Sequence, residues 1–201
     1  MTTPSSSAPA AGPRAVAPPG RGVLTVATLT VACCVGFALA NVDLMTTGFL
    51  ASSGYTRLAD AYPTGFAVMN VGVLLLKLLG AAVALLSVVR APRWPGPALV
   101  GVSVWAAFAT LGVYSLGSTA QGLGMAAGLA DDDGLGVRSV AYLLFFLVFA
   151  GGFGVLAVSY HRRAGLGARH VALGALGGPL VLGLVTVAIA VLTAVGLVPS
   201  G

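Results

Sequence analysis

The stretch that decides the fold runs from Gly65 to Val89 and reads GFAVMNVGVLLLKLLGAAVALLSVV. A helix needs about 20 apolar residues to cross about 30 Å of hydrocarbon, and this run exceeds that length. Its single charge is Lys77, twelve residues from either end. A lysine at the centre of a span opposes insertion by about 2.5–3.5 kcal/mol, while each Leu or Val returns about 0.3–0.6 kcal/mol. The thirteen Leu and Val of the run together supply roughly 4–8 kcal/mol. The segment therefore inserts in spite of its lysine.

Working outward, four further runs have the same character: 22–42, 97–116, 139–160 and 171–198. Each is continuous and apolar, not alternating, which excludes a transmembrane barrel. The expected fold is an all-α integral membrane protein, a bundle of five transmembrane helices at about 22–42, 65–89, 97–116, 139–160 and 171–198. Residues 1–21, with Pro4, Pro9, Pro13, Pro18 and Pro19, read as a disordered cytoplasmic tail, since such a composition buries too little surface to offset its ordering entropy. Segments 43–64 and 117–138 are the expected external loops.

Composition agrees. Of 201 residues, 58% are hydrophobic and 7% charged, against roughly a quarter charged in soluble domains. The mean hydropathy is +1.01. Too few polar side chains exist to cover a water-facing surface. Glutamate is absent, lysine and isoleucine occur once each, and glycine 29 times; this scarcity of AT-rich codons points to a GC-rich bacterial genome and a bacterial plasma membrane.

The net charge of +5 would indicate nucleic acid in a soluble basic protein, but its distribution reads as membrane orientation. With the N-terminus cytoplasmic, the inner segments carry Arg14, Arg21, Arg90, Arg93, Arg162, Arg163 and Arg169. The outer segments carry Arg57 and Arg138, together with all five acids, Asp43, Asp60 and Asp131 to Asp133. Seven basic groups against two satisfies the positive-inside rule, giving N-in and C-out. No nucleic-acid partner follows from the charge. Ala38-Leu39-Ala40 has the form of a signal-peptidase site, so cleavage after Ala40 stands as an alternative, but the preceding run is longer than a signal core. Cys33 and Cys34 are adjacent and so say little about redox compartment.

Lys77 is the residue that topology does not explain. An ionisable group inside a span faces the bundle interior or a wet cavity and marks a functional candidate. Asn70 shares its face seven residues earlier, and the first helix brings Asn41 and Asp43 to the outer half, as the third brings Tyr114. One reading is an outward-opening pocket for a ligand or ion, lined by Lys77, Asp43, Asn41, Asn70 and Tyr114. The other is structural, with Lys77 paired to Asp43 or to helix carbonyls. Small residues mark expected helix contacts: Gly36 within Ala32, Gly36 and Ala40; Gly80 with Ala81 and Ala84; and Gly174 with Gly178 as a GxxxG face before the helix-bending Pro179.

Asp131 to Asp133 are contiguous, and calcium loops need alternating oxygens, so they read as an external turn. His161 and His170 lack companion ligands and flank arginines, so their loop reads as a topology anchor with affinity for anionic headgroups. No metal or cofactor is expected, and no phosphate loop, nucleophile elbow or zinc motif occurs. The partners expected are the lipid bilayer and either a second copy or another membrane protein. A non-catalytic accessory or interaction protein is the first functional reading. A carrier or channel subunit using Lys77 is the alternative. A membrane enzyme on a lipid or isoprenoid, with Lys77, Asp43 and Tyr114 as acid–base groups, is the third.

Overall fold

Prolines open two of the helices and glycine closes another. The computed structural model describes residues 16–47, 60, 63–89, 96–126 and 137–194, and among these the chain forms five helices. They are α1 (Arg21–Thr46), α2 (Pro63–Leu86), α3 (Pro97–Ala126), α4 (Val137–Ala164) and α5 (Ala168–Ala194). Pro63 and Pro97 occupy first helical positions, where the missing N–H costs nothing. Gly165 ends α4 with φ +60, and Leu166 N–H donates to the His161 carbonyl at 3.3 Å. That six-to-one bond closes a Schellman turn, which needs the left-handed residue that glycine supplies.

The helices differ from the expected spans mainly at their ends. α3 continues ten residues beyond Leu116, because the following Gly, Ser, Thr, Ala and Gln include neither charge nor proline. α1 runs on to Thr46 and carries Asp43 within its last turn. α5 runs through Pro179 without interruption. Most of the expected tail lies outside the described residues, as do Arg57, Arg90, Arg93, Asp131 to Asp133 and residues 195–198. The last part of that tail, 16–20, has no regular structure but is docked: Val16 is buried in the core.

Among the described residues, four stretches are long and apolar enough to cross a membrane: Arg21–Thr46, Gly65–Leu86, Pro97–Gly124 and Leu143–Ala164. A shorter apolar stretch, Ala168–Leu184, lies in α5. Their outward faces carry Leu75, Leu79, Leu116, Val148 and Leu180, all well exposed. A water-soluble surface would place charges there; contiguous apolar exposure of this extent fits lipid. The chain is a multipass membrane protein.

In space the helices follow the order α2, α1, α4, α3, α5, with a lighter contact between α2 and α3. Glycines make most of the close approaches. A Cβ at Gly80 would meet Cys34 Sγ at 3.4 Å and Phe153 at 3.6 Å, joining α2 to α1 and α4. One at Gly152 would meet Thr30 Oγ1 at 2.6 Å, and one at Gly154 would meet Phe108 at 2.9 Å. The centre of the bundle is filled by Val100, Val104, Phe149, Phe153, Leu156 and Tyr160, with Cys34 and Ala84 beside them.

Successive helices are antiparallel. Arg163, near the end of α4, donates to the carbonyls of Ser87 (2.6 Å), just after α2, and Ala17 (3.1 Å), just before α1. Leu166 meets Gly101 in the first turns of α3. The start of α1, the end of α2, the start of α3 and the α4–α5 turn thus lie at one end of the bundle, and bring Arg21, His161, Arg162, Arg163, Arg169 and His170 to it.

Candidate functional site

Lys77 rises from the middle of α2 toward α1. Its ammonium donates to the Phe37 carbonyl at 3.2 Å and to Asn41 Oδ1 at 2.5 Å. Phe37 and Asn41 are one helical turn apart, so a single cation bridges them along one face of α1. The ring of Phe37 lies 4.4 Å from the same nitrogen, a distance at which the negative face of the ring attracts a cation.

Asn41 is the centre of the cluster. While its Oδ1 accepts from Lys77, its Nδ2 donates to the carbonyl and to Oδ1 of Asn70, both at 3.3 Å. Asn70 in turn donates through Nδ2 to the Phe66 carbonyl, one turn earlier, at 2.8 Å. Asn41 and Asn70 are 6% and 3% exposed. Both amides therefore have donors and acceptors engaged, and the ammonium is held by dipoles and a ring instead of a carboxylate. Buried polar groups in this state brace the helices that carry them.

The other residues of the expected pocket lie differently. Asp43 is half-buried in the last turn of α1, where it accepts from Thr47 Oγ1. Residues two apart on a helix point about 200° from one another, so the face that brings Asn41 to Lys77 turns Asp43 away. Tyr114 is 52% exposed, and its ring packs against Phe146 with centroids 4.8 Å apart. The structure thus brings Lys77, Asn41 and Asn70 together and leaves Asp43 and Tyr114 outside their hydrogen bonds.

Among the small residues, Gly174 and Gly178 seat α5 on α3. A Cβ at Gly174 would lie 2.5 Å from the Val102 carbonyl, and one at Gly178 would lie 2.7 Å from the Ala106 carbonyl. Gly80 makes the looser contact described above. At Gly36 a Cβ would meet nothing within 4 Å, and Ala32 and Gly36 are exposed. The inward face of α1 is Ala27, Thr30, Cys34, Ala38 and Asn41. Polar Thr30 and Asn41 are the residues that gain from neighbouring helices, which sets the rotation of α1 against the small-residue strip.

Two features escaped sequence reasoning. Phe37 stacks on Phe145 at 4.7 Å and meets Phe146 edge-on at 5.5 Å, and Phe145, Phe149 and Phe153 continue along α4 at 5.8 and 5.4 Å. The four-residue spacing of those phenylalanines was the available signal. The second is Arg163, which also donates through Nε to Ser159 Oγ at 3.3 Å and so fastens three segments at the basic end. Nearby, Tyr160 OH, Trp105 Nε1 and His161 Nδ1 are buried without a hydrogen-bond partner among the described residues.

Two surface hollows stand out. One, of about 560 Å³, is lined by Gly154, Val155, Val158, Ser159, Arg162 and Arg163. The other, of about 230 Å³, lies between the end of α1 and the start of α2, lined by Leu44, Met45, Pro63, Phe66 and Ala67. Lys77, Asn41 and Asn70 line neither. The chain matches no protein-family model, no curated protein and no solved structure.

Proposed function

We propose that this chain is a non-catalytic accessory protein of a bacterial plasma membrane, crossing it five times with its N-terminus cytoplasmic and its C-terminus outside. The observation that carries the reading is the engagement of Lys77 by α1. A lysine that handles a solute or ion needs its donors free for the ligand. This one gives two of its three N–H donors to the Phe37 carbonyl and Asn41, sets its charge against the Phe37 ring, and lines neither of the two hollows. Orientation is supported by the arginines at the α4–α5 end and by the absence of acids from every segment connecting there. The 27 residues of α5 are long enough for a fifth crossing.

In this reading Lys77, Asn41 and Asn70 hold α1 to α2, and the protein acts through the surfaces it offers a second copy or another membrane protein. Reconstitution in sealed vesicles tests it. The full chain should leave the permeability to protons, potassium, chloride and small polar solutes at the level of empty vesicles. A flux that appears with the protein and disappears in Lys77→Met would overturn the accessory reading in favour of a carrier or channel. Turnover of an added lipid or isoprenoid phosphate that is lost in Asp43→Asn would overturn it in favour of an enzyme.

A further inference from the structure

Among the described residues the basic end of the bundle carries no acid. Residues 1–20, 87–96 and 165–167 connect there and contain no Asp or Glu, since the five acids are at 43, 60 and 131 to 133. Arg163 is nevertheless held firmly by neutral groups: Ser159 Oγ, the carbonyls of Ala17 and Ser87, and the Tyr160 ring 5.6 Å away. Arg162 beside it is exposed. Two guanidinium groups therefore stand at the last turn of α4 with their positive charge uncompensated, where the helix C-terminus accommodates cations.

The larger hollow begins at these arginines and descends along α4. Its floor is Gly154, Val155 and Val158, with Ser159 between floor and rim. From Arg163 down to Gly154 is nine residues, or about 13 Å along the helix axis. Val155 and Val158 are 46% and 40% exposed, so these two valines present apolar surface beneath the arginines, while Gly154 below them packs against Phe108 of α3. A cationic rim above an apolar trough is complementary to an anionic amphiphile. A free anion would use the rim alone, and an acidic peptide or nucleic acid would gain nothing from a trough that runs into the span.

We propose that this groove is a binding site for a phosphate-bearing membrane lipid. The phosphate pairs with the exposed fork of Arg162, while Arg163, whose nitrogens are engaged, adds its charge, and one acyl chain lies over Val155 and Val158. Arginine suits the role because its planar fork pairs with phosphate oxygens in a bidentate manner. The site does not depend on the accessory reading, because a carrier or an enzyme could hold the same lipid.

The test uses the full chain reconstituted in phosphatidylcholine vesicles, with a small proportion of spin-labelled phosphatidylglycerol or spin-labelled phosphatidylcholine. The wild-type protein should immobilise the phosphatidylglycerol label in preference to the phosphatidylcholine label. Arg162→Gln should reduce that preference about fivefold. Val158→Trp keeps both arginines and fills the trough, and should reduce it comparably. Arg169→Gln alters an exposed arginine of the same end, outside the groove, and should leave the preference intact. A wild-type protein without preference would overturn the proposal, as would an Arg169→Gln loss equal to that of Arg162→Gln or a Val158→Trp variant that binds normally. Displacement of the label by millimolar inorganic phosphate would identify a free-anion site and overturn it as well.

Discussion

Asn41 shows what a single amide does inside a span. It accepts from an ammonium on one side and donates to a second amide on the other, so its loss leaves two polar groups short of partners. Replacing one member of a buried hydrogen-bonded set costs about 1–3 kcal/mol, and Asn41→Leu should lower unfolding stability in detergent by that amount. Lys77→Met in the Asn41→Leu background should recover part of the loss, because the charge left without its acceptor is then gone. Coupling of at least about 0.5 kcal/mol in this double-mutant cycle is expected, whereas losses that simply add would show that the two side chains do not depend on one another. The inward placement of Lys77, and its shared face with Asn70, were legible in the sequence from position and spacing alone. The identity of its partner was not. Asn41 and Asp43 stand at similar depth, and only the rotation of α1, set by packing, decides between them.

Between α5 and α3 glycines lie directly against backbone, and the space around each glycine divides them into two kinds. Gly178→Ala places a methyl group against the Ala106 carbonyl and Cα, at 2.7 and 2.9 Å, where nothing flexible can yield. Overpacking of this sort costs about 1–3 kcal/mol. It should loosen α5 from α3, seen as a lower thermal midpoint and as reduced cross-linking between cysteines placed on the two helices. Gly36→Ala meets open space and should be neutral or stabilising by up to about 1 kcal/mol, through the higher helix propensity of alanine. Equal melting behaviour of the two variants would contradict this division. The GxxxG spacing made Gly174 and Gly178 readable in advance. The same logic chose the wrong face of α1, since small residues mark where a helix can be approached and polar ones where it gains by being approached. Beside Lys77, Phe37 stacks on Phe145 of α4, an aromatic contact that helical spacing on α4 alone does not assign to α1.

Over the whole molecule, helix number and the ends at which arginines gather were legible because they follow from length and charge, which need no knowledge of packing. The order α2, α1, α4, α3, α5 was not, because every helix here is apolar on all sides and none announces its neighbours. The proposed orientation has a direct check. A membrane-impermeant thiol reagent, applied to intact cells carrying a Cys33→Ala, Cys34→Ala background, should label a cysteine placed at Asp132 and spare one placed at Gly167. The reverse pattern would invert the topology. Arg163 adds a consequence for how the chain is made. Its carbonyl partners lie 76 and 146 residues earlier, so the ribosome finishes three helices before the residue that ties their ends exists. At about 5–20 residues per second, Ala17 waits roughly 7–30 s for its donor. During that interval the nascent α1–α2 pair is held by the bonds of Lys77 and Asn70 to Asn41 and by the Gly80–Cys34 contact, which makes the lysine a clasp for an unfinished protein as much as for a finished one.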